Sequence, residues 1–194
     1  MIDKNNITGI ILAGGKSSRM GTDKGFLKLN GKHFVEHSIA AISPLVSRLM
    51  IVSNNPAYDS FKVERVNDII QDSGPLAGIY SGLNHSKTDY NLVLSCDIPF
   101  IKTPILEMLI NAQDGSYDIV QIVSQGKQMP LIALYKKQCE AVFFELLQND
   151  ERRLHIALNQ CKVKNVELIS EDNIFTKNIN TPEELNEIQH ADKN

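Results

Sequence analysis

The sequence predicts an α/β protein with helices layered on both faces of a mostly parallel sheet, and three observations predict it. Short β-branched runs alternate with longer stretches whose apolar residues recur three and four apart, the pattern of successive βα units. A hydroxyl residue followed by proline marks two helix starts, and a glycine-rich segment directly follows the first β-branched run. With 194 residues, 42% of them hydrophobic and no repeat or linker composition, the chain is expected to form a single domain over 1–194.

Residues 7–12 read as the first strand, and 49–53, 91–95, 117–122 and 131–135 repeat its pattern; of these, 91–95 is the clearest buried central strand. Helical spacing falls on 34–42, 76–83, 105–112 and 139–147. Thr103-Pro104 is expected to open one helix, the hydroxyl meeting orphan amides and the proline presetting φ. Thr181-Pro182-Glu183-Glu184 opens the last, with Thr181 and Glu184 at capping-box spacing, and the polar tail from His190 is expected to fray.

A formal charge of -3 argues against a protein that coats nucleic acid or an anionic membrane, so a polyanionic ligand requires a locally basic pocket. Cys96, Cys139 and Cys161 are widely spaced with no CxxC pair, which favours reduced thiols over a zinc or redox site. No stretch is long enough for a signal sequence or a membrane span, and a cytoplasmic location is expected.

The densest chemical signal is Leu12-Ala13-Gly14-Gly15-Lys16-Ser17-Ser18-Arg19-Met20-Gly21, followed by Asp23-Lys24-Gly25. It lies at the carboxyl end of a strand, where open α/β sheets bind ligands and where glycines let backbone amides approach phosphate oxygens. Arg19 and Lys24 supply cations for a polyphosphate, with Lys16 left to solvent; the bland alternative is a surface turn with solvated charges. A Walker A loop ending at Gly15-Lys16-Ser17 fails, because it needs glycine where Ile10 stands. The dinucleotide fingerprint fails too, since Gly14 and Gly15 are adjacent and the next glycine is Gly21.

Asn91-Leu92-Val93-Leu94-Ser95-Cys96-Asp97-Ile98-Pro99 is an apolar strand ending in a carboxylate, delivered to the same sheet edge. Spacing alone leaves Asp97 two roles, a turn cap before Pro99 or a ligand for Mg²⁺. Cys96 beside it reads as core packing. Asp68, with Asp72 also available, precedes Gly74-Pro75-Leu76-Ala77-Gly78. An amide of Ser53-Asn54-Asn55, with Asn54 the nucleotide-binding candidate, is suited to a base edge.

The pattern L-A-G-G-x-S-x-R-M-G-x-D-K resembles the nucleotidyltransferases of GT-A-like, three-layer α/β/α Rossmann-like fold, which include cytidylyl-, uridylyl- and guanylyltransferases. Ser95-Cys96-Asp97-Ile98-Pro99-Phe100 is similar to that superfamily's metal-binding motif. Gln128-Met129-Pro130-Leu131, Glu151-Arg152-Arg153-Leu154 and Asn178-Ile179-Asn180-Thr181-Pro182-Glu183-Glu184-Leu185 extend the likeness to nearly the whole chain, and to the molybdenum cofactor guanylyltransferases in particular. Met129 stands where that family often has histidine.

The resemblance implies transfer of GMP from GTP to molybdenum-molybdopterin with release of pyrophosphate, Mg²⁺ as cofactor, and molybdoenzyme apoproteins or other cofactor-biosynthesis proteins as partners. It implies Leu12, Ala13, Gly14, Gly15, Lys24, Asp68 and Asp97 at the nucleotide, Asp97 on the metal, and Arg19, Lys24 and Asp97 in the chemistry. Arg152, Arg153, Asn178 and Asn180 are the candidates for the acceptor. The competing reading is a cytidylyl- or other nucleotidylyltransferase acting on a different phosphorylated acceptor.

Overall fold

The structure, a computed structural model, describes residues 2–14, 23–71, 73–181 and 183–185. In chain order its elements are β1 (Ile7–Leu12), the hairpin β2 (Lys28–Leu29) and β3 (Lys32–His33), α1 (Phe34–Ile42), β4 (Arg48–Val52), β5 (Glu64–Val66), α2 (Gly74–His85), β6 (Tyr90–Ser95), α3 (Thr103–Ala112), β7 (Ile119–Ser124), β8 (Lys127–Lys136), α4 (Cys139–Gln148), α5 (Leu154–Leu158) and β9 (Val163–Glu167). Among the described residues a seven-stranded sheet runs β5-β4-β1-β6-β8-β7-β9, and β8 alone lies antiparallel to its neighbours.

Strand β1 sits between β4 and β6 and is buried on both faces, which explains its largely apolar character, with buried Thr8 accepting from the Thr88 hydroxyl at 2.8 Å. Ile7 and Ile11 point into a core shared with α1 and α3, while Ile10 points into a second core with α2 and α4. These two cores separate the three layers the sequence predicts. Helix α2 lies close on β1 because glycines face it. A Cβ at Gly82 would stand 2.5 Å from Cγ2 of fully buried Ile10, and one at Gly78 would reach Leu12 Cδ2 at 3.4 Å.

The helix expected at 34–42 recurs with the same ends and the other three are extended by at most two residues at an end, while the strand expected at 117–122 is displaced to 119–124. Strand β8 begins well before residue 131 because a tight turn after Ser124 folds it back on β7 as a hairpin. Its pairing with β7 shifts register between Gln121 and Ile122, opposite Pro130, which has no N–H for the ladder. The Thr103 expectation is corrected: Thr103 is the first helical residue, and its hydroxyl donates to the Ala41 carbonyl at 2.9 Å, tying α3 to α1 instead of capping α3. The Thr181 box forms as expected, with Glu184 N–H donating to Thr181 Oγ1 at 3.2 Å and Thr181 N–H to Glu184 Oε2 at 3.3 Å, and the same oxygen also accepts from Asn180 N–H at 2.6 Å. Among the described residues no helix is long and apolar enough to cross a membrane.

Gly82→Ala sets a helix-propensity gain of about 1 kcal/mol against overpacking of about 1–3 kcal/mol. Ile10 has no room to yield, so the variant is expected to unfold at a lower denaturant midpoint than the parent protein; an unchanged or raised midpoint would contradict the close approach.

Candidate active site

The chain leaves β1 for β4 on one side of the sheet and later returns to β6 on the other, so strand order reverses at β1. Ligands of open α/β sheets bind at such reversals, beyond the carboxyl ends of the strands. Parallel pairing sets Leu12 opposite both Val52 and Ser95, and the ladders continue one residue further: Ala13 N–H donates to Val52 O and Cys96 N–H to Leu12 O, each at 3.1 Å. Three strand ends therefore finish level around one cavity of about 540 Å³.

The cavity has an apolar wall and a polar floor. Leu12, Val52, Pro75, Gly78 and Leu131 supply the first; Leu131 comes from the irregular stretch of β8 beside Pro130. Asp23, Ser53, Asn54, Asp68, Ser95 and Asp97 supply the second. Gly14 opens the loop at φ +145, a backbone conformation that side-chain-bearing residues rarely adopt.

Lys24 and Asp97 meet here although 73 positions separate them: Lys24 Nζ lies 3.3 Å from Asp97 Oδ2 and donates to Asn180 Oδ1 at 2.6 Å. Both members of the pair are largely but not fully buried, at 21% and 16% exposure, so the attraction is stronger than at an open surface and the groups stay reachable. Ser95 Oγ donates to Asp97 Oδ1 at 2.7 Å, fixing the carboxylate's rotation. Behind it, burial pushes the Cys96 thiol well above its ordinary range, with the Asp97 and Asp23 charges adding to the effect, so Cys96 stays protonated in the core.

Asn180 is held from two directions. Neighbouring Ile179 is fully buried against Leu29 and Phe34, and its N–H donates to Asp97 O at 3.0 Å. The Asn180 and Thr181 amides hold the Glu184 carboxyl below its ordinary range, the Asn180 contribution being the larger. This cap therefore stabilises the segment above the usual glutamate pKa and weakens as pH falls through the lowered value. Asn178 sits beside Ile179 with its Oδ1 buried and without a partner among the described residues.

Asp68 is oriented by a turn of its own and by α2. Its Oδ1 accepts from Ile70 N–H at 3.2 Å and from Ser81 Oγ at 2.8 Å, and its N–H donates to Asn54 Oδ1 at 2.9 Å. The Asp68 N–H thus fixes the orientation of the Asn54 amide, whose nitrogen and second oxygen lone pair stay available to a base edge.

Of the residues singled out in the sequence, Leu12, Ala13, Gly14, Asn54, Asp68 and Asp97 line the cavity, with Lys24 and Asn180 bonded at its edge. Gly15, Arg19 and Asp72 lie outside the described residues. Arg152 and Arg153 stand on the loop before α5, exposed, and neither lines the cavity; Arg153 is engaged by Glu151, whose carboxyl it holds down to about 2. Residue-by-residue reading missed Ser81 and Tyr58, two buried hydroxyls that fasten cavity carboxylates; nothing in their local sequence distinguishes them from core residues.

Known proteins agree with this architecture. A family model described as the MobA-like NTP transferase domain matches residues 9–163. A protein of Flavobacterium johnsoniae named "Probable molybdenum cofactor guanylyltransferase" is 36% identical over 182 residues, covering 94% of this chain and 96% of its own. The "Molybdenum cofactor guanylyltransferase" of Vibrio parahaemolyticus is 34% identical over 188 residues, covering 95% and 96%. Among solved structures, the "Molybdopterin-guanine dinucleotide biosynthesis protein A" of Archaeoglobus fulgidus shares the fold, with a TM-score of 0.81 at 22% identity over 96% of this chain and 98% of that one.

In the folded protein Cys96 is expected to resist a small thiol reagent that labels the denatured chain completely. Peptide mapping after native labelling checks this, and rapid modification of Cys96 would contradict its burial.

Proposed function

Because this chain belongs to the molybdenum cofactor guanylyltransferases, within the MobA-like NTP transferase domain family, we propose that its switch-point cavity aligns GTP for transfer of GMP to molybdenum-molybdopterin, forming the guanine dinucleotide cofactor and releasing pyrophosphate. The observation that carries the site assignment is the meeting of Lys24, Asp97 and Asn180 at the mouth of a cavity walled by the ends of β1, β4 and β6.

The acceptor is a phosphate oxygen and already anionic, so no general base is required. The task is to align two polyanions and offset their repulsion. Two unit charges 4 Å apart repel by about 4 kcal/mol at an effective dielectric of 20, which makes each cation at the site matter to the barrier.

The donor set fits a divalent ion: Asp97 offers hard carboxylate oxygens, and the Lys24 ammonium 3.3 Å away already stands as a cation beside them. Asp97 would hold Mg²⁺, which when bound supplies charge neutralisation and a template for the triphosphate. Lys24 then turns from Asp97 to the α-phosphate, and Asn180 anchors its resting position. Backbone groups of Leu12, Ala13 and Gly14 approach base and phosphates, and the family resemblance adds Gly15 to that contact and Arg19 to the departing pyrophosphate. Asp68 and Asn54 face the nucleoside, the base lying against the apolar wall. A pocket that accepts from guanine N–H groups with a fixed carboxylate disfavours cytosine, which lacks them in that arrangement.

Asp97→Ala is expected to lose magnesium-dependent turnover by more than about 100-fold while keeping its unfolding midpoint. Full turnover with magnesium would refute the metal assignment. Lys24→Ala is expected to lower kcat on the order of 100-fold with a smaller change in GTP affinity; an unchanged kcat would remove Lys24 from the transition state.

A further inference from the structure

Asp23 borders the same cavity as Asp97, yet its carboxylate is committed to the protein. Oδ1 accepts from the Tyr58 hydroxyl at 2.6 Å and from Gly25 N–H at 3.1 Å, while Oδ2 accepts from Asn55 Nδ2 at 3.1 Å. With both oxygens taken by internal donors, Asp23 acts as a joint. The bond to Gly25 N–H caps the short 3₁₀ turn Lys24–Phe26, whose first residue is Lys24.

Tyr58 holds this turn from both ends. Its side chain is fully buried, and burial keeps the phenol protonated far above its ordinary range, so it remains a donor to Asp23. The Phe26 ring, at the other end of the turn, lies 4.6 Å from the Tyr58 ring, and Phe61 completes the aromatic cluster at 5.6 Å from Phe26. Between them, Gly25 leaves room for nothing else: a Cβ there would stand 2.0 Å from the Tyr58 hydroxyl oxygen.

Asn55 extends the connection to the base side of the cavity. Its Oδ1 caps the 3₁₀ stretch Pro56–Phe61 that carries Tyr58, accepting from Ala57 N–H at 3.0 Å, and its own N–H donates to Ser53 Oγ at 3.2 Å. Asn54, the residue before it, holds Asp68. Direct contacts therefore run from the nucleoside-facing carboxylate, through one loop, to the phosphate-facing cation.

We propose that Tyr58, assisted by Asn55, is a positioning residue for Lys24: it clamps Asp23 so that the lysine turn stays rigid and the ammonium meets the triphosphate at a fixed place. The proposal rests on the reading of Lys24 as a phosphate contact. A lysine ammonium on four rotatable bonds is aimed by its backbone, and misplacement by about 1 Å at a reacting centre can slow turnover on the order of 100-fold. Tyr58→Phe keeps the aromatic packing and removes only the hydroxyl.

The test is a double-mutant cycle on the full chain, measuring pyrophosphate release with saturating GTP, molybdenum-molybdopterin and magnesium, GTP affinity by equilibrium binding, and folding by thermal unfolding. Tyr58→Phe alone is expected to lower kcat about 10-fold with GTP affinity within about two-fold, and to have no further effect on kcat when added to Lys24→Ala. A wild-type kcat in Tyr58→Phe would overturn the proposal. So would an equal loss in both backgrounds, which is the signature of a merely structural hydroxyl. If Lys24→Ala itself kept the parent kcat, the reading of Lys24 would fall and this proposal with it, an outcome distinct from a slow Lys24→Ala accompanied by additive loss in Tyr58→Phe.

Discussion

Everything at the site depends on the parallel register of β1 with β6, which sets Leu12 beside Ser95 and so brings the loop of Gly14 and the carboxylate of Asp97 to the same edge. The register is over-determined by burial. Leu92, Val93 and Leu94 are fully buried and alternate between the two cores, so a slip of one residue would exchange the faces of the whole strand. Helix α2 lies against β1 at this distance because Gly82 has no Cβ to meet Ile10. The geometry of the candidate site is thus inherited from core packing away from the cavity.

On this frame the polar groups are arranged so that each cavity carboxylate has a different fate. Asp23 is tied internally, Asp68 is rotated by Ser81 and its own turn, and Asp97 is fixed on one oxygen by Ser95 while facing Lys24 with the other. The Lys24–Asp97 pair makes sense of an acidic chain that must receive a polyanion. The two charges satisfy one another across 3.3 Å, which avoids leaving either ion partly desolvated and alone. In the proposed complex each exchanges its partner for a stronger one, Asp97 for a divalent cation and Lys24 for phosphate.

The fold was legible wherever burial imposed a period. Residues 7–12 and 34–42 coincide with β1 and α1 because both are buried enough for apolar spacing to dominate. Strands β5 and β9 were not legible: each lies at a sheet edge, and β9, Val163–Glu167, alternates too weakly to separate from loop. Thr103 misled because its hydroxyl found a tertiary acceptor, the Ala41 carbonyl, which no local rule anticipates. The meeting of Lys24, Asp97 and Asn180 was legible only in outline, since strand ends reveal a shared edge but not that Asn180 reaches the lysine rather than a bound ligand. Tyr58 was invisible, because its partner is 35 positions away and its residue type is ordinary for a core.

The central claim is that one triphosphate bridges the β1 loop and the end of β6. A crystal structure of the protein with magnesium and a GTP analogue whose α,β-bridging oxygen is replaced by methylene tests it most directly. The account predicts the base against Leu12 and Leu131, the metal on Asp97, and Lys24 swung from Asp97 to the α-phosphate. A nucleotide bound away from the ends of β1 and β6, or a triphosphate seated there with Lys24 still paired to Asp97, would contradict it.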